Sequence, residues 1–139
     1  MEVEGAFFNT SDYKIRPKKL GKGSYGKVYV AEHVNNHQEF AIKVIDINSG
    51  FDGNDQMLFL HESFTLKRLN HIAIVKLNGI NFQSYSDPKT FQPTILMEYF
   101  RRGSLKNNLN KTKNSTSDPN WTYTKKYINL LGISNALCY

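Results

Sequence analysis

The fold of this chain is decided by a glycine-rich stretch near its start, Gly21-Lys22-Gly23-Ser24-Tyr25-Gly26-Lys27-Val28. Three glycines at this spacing let a backbone bend tightly and approach a phosphate closely, because glycine has no Cβ. The same spacing serves several nucleotide-binding folds, and a dinucleotide-binding fold needs a helix directly after the loop. Here the following residues, Lys27-Val28-Tyr29-Val30-Ala31, are β-branched, aromatic and alternating, which predicts a strand. The stretch is therefore predicted to form a hairpin that lies over a nucleotide.

A lysine interrupts the next apolar run. Residues 39–47 are β-rich and apolar on both faces, which predicts a central strand. Lys43 lies on the same face as Ala41 and Ile45, because side chains two apart in a strand point the same way. An isolated lysine in a strand most often extends its ammonium to the edge of the sheet.

In its context, however, the string Ala41-Ile42-Lys43, 17 residues after Gly26, resembles the V-A-I-K strand of protein kinases. The hairpin is similar to the Gly-rich loop of the same family. The resemblance implies that Lys43 neutralises the α- and β-phosphates of ATP. It also implies two further groups of nucleotide contacts, which are the loop over the phosphates (Gly21, Lys22, Gly23, Ser24, Tyr25 and Gly26) and the pair that encloses the adenine (Val28 and Ala41).

Residues 56–70 have helical spacing, with Glu62, Leu66 and Leu69 on one face. A carboxylate among leucines is poorly solvated unless a cation lies nearby. Taken alone, Glu62 fits the rim of an amphipathic helix. In the kinase context it resembles the αC glutamate that pairs with the strand lysine, and it lies 19 residues after Lys43. The following His71 resembles the structural histidine that closes this helix in the family.

A second string that is similar to the kinase family covers residues 94–105. It reads Thr94-Ile95-Leu96-Met97-Glu98-Tyr99-Phe100-Arg101-Arg102-Gly103-Ser104-Leu105. This string resembles the fifth strand and hinge of a kinase, most closely those of the tyrosine-kinase-like group. The resemblance implies that Met97 limits the pocket behind the adenine and that the backbones of Glu98 and Phe100 hydrogen-bond its edge. It also implies that Gly103 lets the chain turn into the next helix. Without that context, the string is an ordinary strand end.

The resemblance covers about residues 13–139 and implies an α+β fold. We expect a kinase-like lobe (about 13–100) with a five-stranded antiparallel sheet and one large helix, after an N-terminal extension (1–12). A hinge (about 98–103) and an incomplete helical lobe (about 104–139) follow. Pro88 and Pro93 predict a loop over 84–93. Residues 121–139 predict a helix that is apolar on more than one face, which is typical of a buried helix.

The sequence contains no H-R-D-x-x-x-x-N, D-F-G or A-P-E motif. In the family these motifs supply the proton acceptor and the Mg²⁺ ligands. We therefore expect this chain to bind ATP but to be inert alone, with no metal site of its own and with Mg²⁺ only where the rest of the second lobe is present. The full-length protein would transfer the γ-phosphoryl of ATP to Ser, Thr or Tyr of a protein substrate. Two alternatives stay open: a non-catalytic, ATP-binding or scaffolding pseudokinase, and a piece that does not fold stably.

The net charge of +6 comes from one region. Between Arg101 and Lys126 there are seven Lys or Arg against one acid, Asp118, so the rest of the chain is formally neutral. A basic, Asn-rich loop region is usually solvated, and we expect no nucleic-acid or membrane partner. The single cysteine, Cys138, excludes an internal disulfide. No signal peptide or membrane span is apparent, so a cytoplasmic location is expected.

Overall fold

The computed structural model describes residues 7–23, 26–47, 51–113 and 121–139. These residues fall into two compact units. The first holds the residues up to Asn70 together with Val75–Tyr99, and the second holds His71–Ile74 and Phe100–Tyr139. The sheet and the first helix belong to the first unit, and the two later helices belong to the second.

The first unit is built on a five-stranded antiparallel sheet, which confirms the predicted fold class. Its strands lie in the order β1-β2-β3-β5-β4, so β1 and β4 are the edges. A helix, α1 (Gly53–Arg68), connects β3 to β4. The strands are β1 (Tyr13–Gly23), β2 (Gly26–His33), β3 (Glu39–Ile45), β4 (Leu77–Gln83) and β5 (Phe91–Glu98).

The sheet buries side chains on both faces. One cluster contains Phe40, Ile42 and Leu96, and the other contains Ile45 and Ile95 packed with Phe59 of α1. These sets separate because neighbouring strand residues point to opposite faces. The helix therefore covers the face that carries Lys43, since Lys43 and Ile45 are two residues apart on β3.

Two prolines lie inside strands at places where the pairing is irregular. Pro17 lies in β1, an edge strand whose register shifts between Ile15 and Lys19. The prediction that Pro93 ends a loop was wrong, because β5 already begins at Phe91. Pro93 is buried at a register shift between β4 and β5, where a missing N–H does not interrupt a regular ladder.

Helix α1 begins three residues earlier than the predicted Gln56 and ends at Arg68. Asp52 accepts hydrogen bonds from the backbone N–H groups of Asn54 (2.8 Å) and Asp55 (3.0 Å), and the Asp55 carboxylate accepts from the N–H of Asp52 (3.4 Å). This is a capping box. Asp52 and Asp55, which precede the predicted start of the helix at Gln56, therefore cap and begin it.

The second unit contains α2 (Leu105–Lys113) and α3 (Tyr123–Leu137). Gly103 has φ +72°, a left-handed conformation that favours glycine, and it precedes α2 as expected. Helix α3 is capped by Thr122, which accepts a hydrogen bond from the N–H of Lys125. None of its side chains is buried within the part of the chain that is described, although many are large and apolar. Among the described residues, no helix is long and apolar enough to cross a membrane.

Candidate functional site

The glycine-rich stretch joins two paired strands. Gly21 lies opposite Val28, and Gly23 lies opposite Gly26, in the antiparallel pair of β1 and β2. The two strands predicted for the hairpin are thus present and pair with each other. Ser24 and Tyr25, which were expected to contact the phosphates, lie outside the described residues.

The physical reason for a glycine differs among Gly21, Gly23 and Gly26. A Cβ on Gly26 would collide with the Val44 carbonyl oxygen and lie 3.0 Å from the Ile45 Cα, so this glycine is required by the packing of β2 against β3. A Cβ on Gly21 would have nothing within 4 Å, and one on Gly23 would meet only the Gly26 oxygen at 4.0 Å. The residues that the structure describes therefore leave open space at Gly21 and Gly23.

The other predicted nucleotide contacts lie in two neighbouring rows across the sheet. In the first row, Gly21 pairs with Val28, Val28 with Lys43, and Lys43 with Ile95. In the second row, Ala41 pairs with Met97. The rows are two residues apart on β3 and β5, so their side chains share one face. The sheet register thus brings Val28, Ala41, Lys43 and Met97 together beside the glycine hairpin.

A cavity of about 330 Å³ lies on this face, between the sheet and α1. Lys43 and Glu62 are its charged wall residues. The remainder of the wall is apolar, consisting of Val28, Leu66, Val75, Leu77, Ile95 and Met97. A second cavity of about 290 Å³, nearer the start of α1, is also lined by Lys43 and Glu62, together with Phe51, Asp55 and His61 among others. The lysine and the glutamate therefore stand between two cavities.

Lys43 and Glu62 line the same cavities without forming an ion pair. Within the described part of the chain, no nitrogen–oxygen distance of 4.0 Å or less joins them. Lys43 is half-buried and Glu62 is exposed. The two side chains line the same cavities, and their pairing stays a prediction.

Glu98 has a structural role that the sequence reasoning missed. Its carboxylate accepts a hydrogen bond from the N–H of Lys76 (2.6 Å), and its own N–H donates to the Lys76 carbonyl (3.1 Å). These bonds connect the end of β5 to the start of β4. No local signal in the sequence links residues 76 and 98. Phe100, which was predicted to lie in the hinge, is exposed and belongs to the second unit.

His71 accepts a hydrogen bond on Nδ1 from the N–H of Ala73 (3.2 Å), and its ring lies 5.1 Å from that of Tyr139. Its role here is local and structural. Over the ranges described, no group of three or more His, Cys, Asp or Glu side chains is placed to hold a metal ion. The candidate site is therefore an apolar pocket with one cation, one carboxylate and an open glycine hairpin.

Comparison with known proteins identifies the protein family to which the chain belongs. The pattern of the protein tyrosine and serine/threonine kinase family matches residues 15–139. The chain belongs to this protein kinase family.

Individual relatives agree with that assignment. A probable serine/threonine-protein kinase of Dictyostelium discoideum is 34% identical over 63% of this chain and 13% of its own length. Fer-related kinase 1 of Caenorhabditis elegans is 30% identical over 73% of this chain and 24% of its own length. CBL-interacting protein kinase 12 of Oryza sativa subsp. japonica is 35% identical over 66% and 16%. The chain thus spans between 13% and 24% of the length of these curated relatives.

Proposed function

We propose that this chain is the ATP-binding lobe and the start of the second lobe of a protein kinase that phosphorylates protein hydroxyl groups. The observation that carries the proposal is the open space at Gly21 and Gly23 beside the row that contains Val28 and Lys43. Within the part of the chain that the structure describes, neither packing nor a positive φ at these two positions requires glycine. A phosphate group that approaches the backbone supplies the missing reason.

The face of the sheet offers different chemistry to different parts of a nucleotide. Val28, Ala41 and Met97 provide an apolar surface for the adenine, and the backbones of Glu98 and Phe100 are proposed to bind its polar edge. Lys43 provides the positive charge for the α- and β-phosphates. Glu62 is proposed to hold the Lys43 ammonium in position once the two side chains meet. Removal from water strengthens each of these polar contacts.

Phosphoryl transfer also requires a group that accepts the proton of the substrate hydroxyl and oxygen ligands for Mg²⁺. When bound, Mg²⁺ bridges the phosphates and neutralises developing charge. The residues described here provide the nucleotide part of that apparatus, and we propose that the whole protein completes it. Serine or threonine is the proposed acceptor, because the Dictyostelium discoideum relative described above is named a probable serine/threonine-protein kinase. The string at 94–105, which includes the predicted hinge, is the basis for proposing the tyrosine-kinase-like group.

The proposal is tested by ATP-dependent thermal stabilisation of the chain. A ligand that binds only the native state stabilises it, by about 2.7 kcal/mol at a concentration one hundred times its Kd. We expect Mg-ATP to raise the Tm in a saturable way and Lys43→Met to abolish the increase. Lys27→Met is the matched control: it removes the same charge one residue from Val28, and its side chain points to the opposite face of the hairpin.

Two results would overturn the proposal. One is an ATP response in Lys43→Met equal to that of the unchanged chain. The other is a folded chain, with a cooperative melting transition, whose Tm does not respond to ATP at any concentration.

A further inference from the structure

Residues 7–12, which precede the family match at 15–139, are attached to the open edge of the sheet. Phe7 forms an isolated parallel bridge with Ile80 of β4. The N–H of Phe8 donates to the Ile80 carbonyl (3.2 Å), and the Asn81 side-chain amide donates to the Phe8 carbonyl (2.7 Å). Asn81 is itself buried. The segment thus satisfies part of an edge that would otherwise present unpaired backbone groups.

Phe8 anchors the segment. Its ring is 9% exposed and belongs to the buried cluster on the face of the sheet opposite α1, with Phe40 and Ile42. The Tyr13 ring meets it edge to face at 5.4 Å. Asn9 then caps a short 3-10 turn, Thr10–Asp12, whose last carbonyl accepts from the N–H of Val34 (2.8 Å). The anchor is therefore fixed by both burial and hydrogen bonds.

Phe7 reaches the α1 side of the sheet. Its ring centroid lies 6.1 Å from that of Phe82 on β4, and Phe82 lies 5.8 Å from Phe59 of α1. Phe59 is buried, and Glu62 follows it by three residues, so the two occupy neighbouring positions on the helix surface. A continuous series of aromatic contacts thus runs from Phe7 to the helix that carries Glu62.

We infer that residues 7–12 position helix α1, with Phe8 as the anchor and Phe7 acting on the helix through Phe82 and Phe59. Phe7 is 54% exposed, so little of the core depends on it. It can therefore be substituted to test this effect with little loss of core packing. Its effect on nucleotide binding, through Glu62 and Lys43, rests on the proposed function. Its effect on the helix does not.

The test is hydrogen exchange of the 139-residue chain, measured by mass spectrometry without nucleotide. We expect Phe7→Ala to increase exchange severalfold in peptides from 53–68 while leaving peptides from 26–45 unchanged. Phe7→Leu, which keeps an apolar contact with Phe82, should restore most of the protection. Val34→Ala is the control, because Val34 is similarly exposed (46%) and lies outside the aromatic series.

Unchanged exchange in 53–68, or an equal increase in both regions, would overturn the inference. In the second case Phe7 would simply be part of the global fold. Because the measurement contains no ATP, this failure is distinguishable from failure of the nucleotide proposal: the helix can prove independent of Phe7 in a chain that still binds ATP. In the same way, faster exchange in 53–68 alone would support the inference in a chain that binds no ATP.

Discussion

A side chain at position 26 would collide with the carbonyl oxygen of Val44, because Gly26 lies against β3 where the two strands pair. This contact involves backbone on both sides, so rotation of a side chain cannot relieve it. We predict that Gly26→Ala lowers the free energy of unfolding by about 1–3 kcal/mol, the usual cost of overpacking. Urea denaturation measures the loss. A stability equal to that of the unchanged chain would show that β2 and β3 separate easily here.

Gly21 and Gly23 give the opposite prediction. Among the described residues, an added methyl group meets nothing within 4 Å at Gly21 and only one oxygen at 4.0 Å at Gly23, so variants with alanine should fold normally at both positions. Each substitution should nevertheless weaken ATP binding, because the methyl group occupies space proposed for the phosphates. Calorimetric titration measures the affinity, with urea denaturation as the folding control. Wild-type affinity in both variants would remove the main support for a phosphate at this loop.

Lys43 and Glu62 line the same two cavities but do not form an ion pair. Two roles of Glu62 in ATP binding are therefore to be distinguished: holding Lys43, and contributing to binding separately. If Glu62 acts only by holding Lys43, the two substitutions should not be additive. We predict that Lys43→Met abolishes most ATP affinity, and that Glu62→Gln reduces it about threefold to tenfold, or roughly 1 kcal/mol. The double variant should bind no worse than Lys43→Met alone. Additive losses would instead indicate that Glu62 contributes to binding by a separate route.

The sheet and much of the site could be predicted because their signals are local. Alternating apolar residues identify strands, and Lys43 stands out because a charge interrupts an apolar run. The start of α1 was mispredicted because Asp52 and Asp55 are equally common in loops, and only the direction of their hydrogen bonds shows a cap. The role of Phe8 was not predicted at all: Asn81, which binds its carbonyl, lies 73 residues away in the sequence.

The capping box of α1 gives a prediction about the helix rather than the nucleotide. Asp52→Ala removes the acceptor for the N–H groups of Asn54 and Asp55, and loss of such a cap typically costs about 1 kcal/mol. Urea denaturation followed by circular dichroism measures this change. Gln56→Ala is the control, because Gln56 is exposed and directly follows the capping box, four residues after Asp52. Equal stability of the Asp52 and Gln56 variants would mean that water replaces the cap without cost.

The ion pairs between the first three strands predict how stability depends on pH. Arg16 donates to Glu32 (2.8 Å) and also meets Glu39 (2.7 Å), while His37 Nδ1 lies 2.8 Å from Glu32. The hydrogen bond from Arg16, followed by that from His37, holds the pKa of Glu32 below the usual 4.5. A lowered carboxyl pKa in the folded state stabilises the protein above the unfolded pKa, and this stabilisation is lost as the pH falls through the folded value.

Glu32→Gln should therefore be less stable than the unchanged chain at neutral pH, and the difference should shrink below about pH 4.5 as the glutamate becomes protonated. Added salt should also reduce the difference, because the group is accessible to solvent. Urea denaturation from pH 7 to pH 3, at low and high salt, measures both effects. A difference that stays constant across this pH range would show that Glu32 stabilises the fold by packing rather than by its charge.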